Sequence, residues 1–260
     1  PAFSSSEHFV AMFVDEAKVA ADLNHPNIAQ IFDFGNVGGV FYLVMEYVEG
    51  IDLMRLVKAA HQAGRRVPPG IGAYIVQELM KALDYAHRKV GPNGVPLDIV
   101  HRDVSPQNVL VSYDGAVKLV DFGIAKTRTM VEEEGIVKGK YAYMSPEQAA
   151  GQAVDRRCDI FAAGIILYEL TVGRTLFGGL KGEEALRAVR SAEIPMPRKV
   201  DETVPEALEA IIMQALGRRP EDRYPTARDF QNALTRYLYA QSEIFDASAV
   251  AGFVAAVVPE

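Results

Sequence analysis

Residues 157–173, RCDIFAAGIILYELTVG, are apolar on nearly every face of a helix. A surface helix keeps a polar side toward water, so this segment reads as a helix buried in the core. The chain is long enough to bury it. Its 260 residues correspond to roughly one or two domains of about 150 residues, and a composition 49% hydrophobic and 23% charged allows a large core. The formal charge of −7 supplies no global field that would recruit nucleic acid or an anionic membrane surface. Cys158 is the only cysteine, which excludes an internal disulfide and a multi-cysteine metal site, and it reads as a small buried apolar residue. The longest apolar run, AVAGFVAAVV, has ten residues where a bilayer span needs about 20. No signal-peptide pattern is present, so the expected setting is cytoplasmic, with no direct membrane contact from this segment.

Apolar residues near helical period, after a serine run able to cap them, predict a helix over residues 7–23 that His25, Pro26 and Asn27 stop. Two β-rich runs, IAQIFDFG and VFYLVMEYV, are joined by NVGG, a hairpin turn. An amphipathic helix is expected over residues 72–88, and a Gly- and Pro-rich loop after it to Ile99. Residues 109–120 give two more short strands turning at Asp114 and Gly115, and most of the chain beyond is helical. Thr226 with Asp229 forms a capping-box pattern for a helix through Leu238, and the tail from Gln241 is expected to add one amphipathic helix.

The motifs HRDVSPQN (residues 101–108) and DFG (residues 121–123) flank that second hairpin. Asp103, Asn108 and Asp121 can therefore converge at one edge, and oxygen ligands of this kind suit Mg²⁺. On these motifs the chain resembles the eukaryotic-type protein kinase family over essentially its whole length. HRDVSPQN with GKYAYMSPEQ and the long loop before IVHRD most resemble bacterial serine/threonine kinases.

The resemblance implies an α+β, two-lobed fold: an incomplete N-lobe in residues 1–46, a hinge at 47–51, a mainly helical C-lobe over 52–240, and a tail helix in 241–260. The implied reaction is transfer of the ATP γ-phosphoryl group to Ser or Thr hydroxyls of protein substrates, with ATP and Mg²⁺ as cofactors and no nucleic-acid partner. Asp103 would take the hydroxyl proton, Asn108 would hold one Mg²⁺ and Asp121 the bridging one. Leu110 would floor the adenine site, Met45 stand at the gatekeeper position, and Glu46 and Val48 offer hinge backbone groups. Glu16 is placed like the helix glutamate that pairs with an ATP-anchoring lysine. Asp159 resembles the aspartate that braces the catalytic-loop backbone, and Arg223 the arginine that pairs with Glu147 of SPE.

The chain departs from the family pattern in several places. No lysine precedes Lys18 and residues 1–15 contain no glycine, so the Gly-rich phosphate loop and the lysine clamp are missing. This reads as a truncated domain, weakly active or inactive as given; the alternatives are a pseudokinase scaffold and a small-molecule phosphotransferase of the aminoglycoside type. The last lacks SPE, the Asp159 helix and Arg223. Ser105 stands where the family has a γ-phosphate lysine and Lys140 where it has a threonine, an exchange that would supply the same charge from the activation segment. Gln107 replaces a glutamate that reads basic substrate residues. The run VEEE, with Glu132 and Glu134 facing Arg102, is a candidate substitute for phosphorylation, with Thr127 and Thr129 as competing phosphosites.

Overall fold

The computed structural model describes residues 20–122, 140–180 and 182–258. Two small antiparallel sheets accompany a mainly helical remainder, the α+β class implied by the sequence. The helix read over residues 7–23 lies largely outside the described residues; Ala20 and Ala21 are helical, and Leu23 is fully buried.

Strands β1 (Ile31–Val37) and β2 (Val40–Met45) pair antiparallel around Gly38 and Gly39. Both glycines have positive φ, 60° and 83°, the geometry of a two-residue turn whose twist matches the strands it joins. Asn36 Oδ1 accepts the Gly39 N–H and closes the turn. β2 ends at Met45, short of the EYV that continues the sequence run. The second sheet has the order β3 (Gly50–Asp52), β4 (Val109–Ser112), β5 (Val117–Leu119), antiparallel throughout.

Helix α1 (Leu53–Gln62), which the sequence reading did not include, follows β3 directly. Its signals were present: Asp52 caps it by accepting the Arg55 N–H, and Leu53, Leu56 and Ala60 form its buried stripe. Helix α2 (Pro69–His87) starts three residues earlier than the apolar pattern suggested, because Pro69 at its first turn pre-sets helical φ. The expected amphipathicity is present but narrow, with Ile75, Leu79, Leu83 and Ala86 buried and a half-buried stripe of Tyr74, Gln77, Lys81 and Tyr85. Buried residues cover most of its faces, and it packs against both α4 (Arg157–Val172) and α8 (Ala227–Tyr239).

Helix α4 is the central rod: every residue except Arg157 and Glu169 is buried. Gly164 lets Ala215 and Leu216 approach it, and Gly173, in the left-handed region, ends it. Against it pack α6 (Pro197–Val200) and α7 (Glu206–Ala215), while α5 (Gly182–Ser191) packs on α3 (Pro146–Ala149). The capping pattern at Thr226 is realised, its hydroxyl oxygen accepting the Asp229 N–H at the start of α8.

Helix α3 is fixed to this core by a buried ion pair. Arg223 and Glu147 bond twice at 2.7 Å, and Arg223 also donates to the carbonyls of Gly217, Arg157 and Arg218 while lying 4.7 Å from the Phe161 ring centroid. Burial alone would raise the Glu147 carboxyl, but Arg223 holds it below its ordinary value. The tail forms α9 (Ala247–Val257), capped by Asp246 and apolar almost throughout rather than amphipathic. Four of its residues, Val250, Phe253, Val254 and Val257, are buried, and α9 lies against α1.

Two tests follow from these contacts. A Cβ at Gly115 (φ 88°) would sit 1.8 Å from the Ala247 carbonyl oxygen, whereas one at Gly39 meets open space. Gly115→Ala should therefore raise amide exchange across residues 247–257, while Gly39→Ala loses only about 1–2 kcal/mol to backbone strain. Unchanged tail protection in Gly115→Ala would contradict this docking. Arg223→Met leaves Glu147 buried and unpaired and should cost about 3–5 kcal/mol in urea unfolding. Because the folded Glu147 carboxyl is depressed, the pair's stabilisation is present above its ordinary value of 4.5 and lost as the pH falls through the lower folded value. Arg223→Met should remove that acid limb from the stability profile.

Candidate active site

The β4–β5 hairpin brings the two chemistry-bearing motifs together. Val109 pairs with Leu119 in its register, so the residues just outside the pair, Asn108 and Val120, are neighbours, and the Val120 N–H donates to the Asn108 carbonyl at 2.9 Å. Asp121 follows at once, exposed, with a left-handed φ of 59°. On the other strand end, Asn108 Nδ2 donates to the Asp103 carbonyl (2.9 Å) and to its carboxylate Oδ2 (3.2 Å). That orientation turns the Asn108 Oδ1 acceptor away from Asp103. The structure thus gathers Asp103, Asn108 and Asp121 at one edge of the hairpin, the convergence expected from their spacing.

The loop carrying Asp103 is held by a carboxylate from the head of α4. Asp159 is 1% exposed, and its oxygens accept the backbone N–H of His101 (2.9 Å), that of Arg102 (2.8 Å) and His87 Nε2 (2.8 Å). Burial alone would raise this carboxyl; the donors, His87 first, hold it below its ordinary value and ionised. The bonds steady a strained turn, since Arg102 has a φ of 64°, a conformation costing about 1–3 kcal/mol for a residue other than glycine. His101 completes the support. Its Nδ1 accepts the Asp103 N–H, which leaves Nε2 to donate to the Val120 carbonyl at 3.0 Å, and its ring packs 4.7 Å from that of Phe122.

The other expected site residues are placed as follows. Met45 ends β2 opposite Ile31, Val48 lies between β2 and β3, and Leu110 sits in β4 between Asp52 and Lys118. The Glu46 N–H donates to the Gln30 carbonyl, and its carboxylate is paired with Lys118 at 2.8 Å and accepts the Gln30 N–H. Ser105 is buried and opens the short 3-10 turn Pro106–Asn108, its carbonyl accepting the Asn108 N–H. Glu16, the Lys140 side chain, the VEEE run with Glu132 and Glu134, and Thr127 and Thr129 lie outside the described residues.

Several supporting residues were missed in the sequence. Gln148 donates to the Arg102 carbonyl at 3.0 Å and completes a capping box with Ser145; the S-x-x-Q spacing was legible there. Asn27 bonds Glu78 and the Val117 carbonyl, hooking the chain before β1 onto β5. His87 and Lys118 had no local signal, because their partners lie far along the chain.

Comparison with known proteins accords with this geometry. The protein kinase domain family matches residues 3–234. The chain is 42% identical over 240 residues to the tyrosine-protein kinase MasK of Myxococcus xanthus, covering 92% of this chain and 37% of that protein. It is 35% identical to the serine/threonine-protein kinase PrkC of Bacillus subtilis (88% and 34% covered). With the serine/threonine-protein kinase PknB of Mycobacterium leprae the identity is 39% (88% and 36% covered). It therefore spans about a third of the length of these relatives. The crystal structure of the Mycobacterium tuberculosis PknI kinase domain superposes with a TM-score of 0.67 at 29% identity, over 91% of this chain and 82% of that one. With the family matched over most of its length and the aspartate-braced catalytic loop in place, the chain belongs to the protein kinase domain family.

Proposed function

We propose that this chain transfers the γ-phosphoryl group of ATP to Ser or Thr hydroxyls of protein substrates. The observation that carries the reading is the Asp103 carboxylate, oriented by Asn108 Nδ2 on a loop braced by Asp159. In the proposed reaction the substrate hydroxyl oxygen forms a bond to the γ-phosphorus as the bond to the β–γ bridging oxygen breaks. ADP leaves, and the hydroxyl proton passes to Asp103. Such a reaction depends mainly on positioning and charge stabilisation, which is what a rigidly supported loop supplies.

The donor set fits a hard divalent cation: the Asn108 Oδ1 and the Asp121 carboxylate are oxygen ligands at one edge, and Mg²⁺ characteristically takes one or two carboxylates with phosphate oxygens. Bound there, Mg²⁺ would neutralise charge on the β- and γ-phosphate oxygens. Met45, Glu46, Val48 and Leu110 are proposed to receive the adenine, about a hinge at residues 47–51 between residues 1–46 and 52–240, and Glu16 to take part in positioning the phosphates. The chemistry suits the cytoplasm, where ATP is held. Among the described residues no helix is long and apolar enough to cross a membrane.

MasK, named a tyrosine kinase, favours a second reading in which the acceptor is a tyrosine. Phosphoamino-acid analysis of substrate labelled by the full-length protein separates the two: phosphoserine or phosphothreonine supports the proposal, phosphotyrosine alone overturns it. In the same assay Asp103→Ala should lower turnover by about 10²–10⁴, and chelation of Mg²⁺ should abolish it.

Lys140 is proposed to serve beside the phosphate in exchange for Ser105. Removal of one preorganised charge-stabilising donor typically slows a reaction by about 10²–10³. Lys140→Thr should show a loss of that order, and adding Ser105→Lys should restore much of it. Additive effects in this double-mutant cycle would dismiss the exchange.

A further inference from the structure

The tail helix α9 lies beyond residue 234, where the family match ends, yet it is seated on the two elements that hold residues 47–51. Its first turn rests on the turn between β4 and β5, with the Ala247 carbonyl and the Ala251 backbone nitrogen against Gly115. Its body lies against α1, which begins where β3 ends. Just ahead of it, the half-buried Phe245 ring covers Gly70 in the first turn of α2. Neither glycine could carry a side chain without displacing the tail.

Both supports reach the residues proposed above as the hinge. Ser112 closes the hairpin turn: its N–H donates to the Ala116 carbonyl (2.8 Å), its carbonyl accepts the Gly115 N–H (3.0 Å), and its hydroxyl oxygen accepts the Ala116 N–H (2.8 Å). Across the sheet Ser112 pairs with Gly50, and the next residue, Tyr113, donates its N–H to the Glu49 carbonyl at 3.0 Å. On the other side, Asp52 ends β3 opposite Leu110 and caps α1 by accepting the Arg55 N–H. Residues 47–51 are therefore tied to the turn through Glu49 and Gly50 and to α1 through Asp52, and α9 bridges the turn and α1. No charged residue occurs between Ala247 and Val257, so the docking of α9 rests on apolar burial.

We propose that α9 is a positioning element for the nucleotide: seated, it holds residues 47–51 at the spacing adenine requires, and unseated, it lets them relax and ATP affinity fall. The inference rests on the kinase reading above and adds to it a segment outside the family match. Coupling between two sites is reciprocal, so Mg²⁺–ATP tightens α9 by the factor by which α9 tightens ATP.

The test uses the full-length protein with Val250→Asp, at a position 0% exposed, and Ser248→Asp, at an exposed one. Both lie in the first turn of α9, where a carboxylate suits a helix, so the pair isolates burial. Val250→Asp should raise KM for ATP by at least about 5-fold, with kcat and KM for the protein substrate unchanged. Ser248→Asp should alter none of the three, and Val250→Ile should keep the wild-type KM. A merely structural loss would instead lower the active fraction, and hence kcat, at an unchanged KM. In the wild-type protein, the non-hydrolysable analogue AMP-PNP with Mg²⁺ should slow amide exchange over residues 249–257 by a similar factor, and this decides the proposal should Val250→Asp fail to fold. An unchanged KM for ATP in a Val250→Asp protein whose tail amides exchange freely, or tail exchange indifferent to the analogue, would overturn the proposal. Wild-type protein that binds no nucleotide removes the kinase reading and this proposal together, whereas nucleotide binding indifferent to α9 removes the proposal alone.

Discussion

Asp159 is the interaction on which the candidate site depends. A carboxylate almost without solvent would be expelled or neutralised in an apolar interior unless donors surrounded it. Here four donors do so: two consecutive backbone N–H groups of the Asp103 loop, the His87 imidazole and, more weakly, the Cys158 thiol. The relation is reciprocal, because the loop satisfies the buried charge and the charge holds the loop in a turn that Arg102 adopts only at a positive φ. Since Asp159 heads a helix buried on nearly every face, the loop inherits the rigidity of the core.

Two further links extend that rigidity outward. The Arg223–Glu147 pair ties α3 to the base of the core, and α3 in turn supplies Gln148, whose amide reaches the Arg102 carbonyl from the opposite side. Toward the first sheet, Lys118 of β5 pairs with Glu46, whose N–H donates to the Gln30 carbonyl and whose carboxylate accepts the Gln30 N–H, while the Gln30 side chain reaches the Ala21 carbonyl. Lys118 precedes Asp121 by three residues. The strand end that carries Asp121 and the segment proposed to receive adenine are therefore joined by one short polar chain.

The tail shows how far composition can mislead. The tail helix was expected, but its composition, apolar almost throughout residues 247–257, does not single out which positions are buried. What seats the helix is complementary shape elsewhere: Gly115 admits the Ala247 carbonyl and Gly70 the Phe245 ring, each at a distance no side chain would permit. Helix α2 buries more than its expected face for a related reason. Its small residues let neighbours pack on several faces, so a stripe of larger apolar residues was only part of its buried surface.

What the sequence determined by itself was local. Paired glycines at 38 and 39 demand a two-residue turn, Thr226 caps the helix it precedes, an all-apolar segment must be core, and HRDVSPQN and DFG on either side of a short hairpin must meet at its end. Each of these follows from backbone sterics, from a bond between residues a few positions apart, or from the register of one strand pair. Tertiary structure alone decided that His87 would serve Asp159, that Lys118 would pair with Glu46, that Gln107 would fold onto Met54, and that Glu169 would accept the Tyr143 hydroxyl. Those partners lie up to 72 residues apart, and no spacing rule connects them; they meet only because the helices around α4 pack in one arrangement.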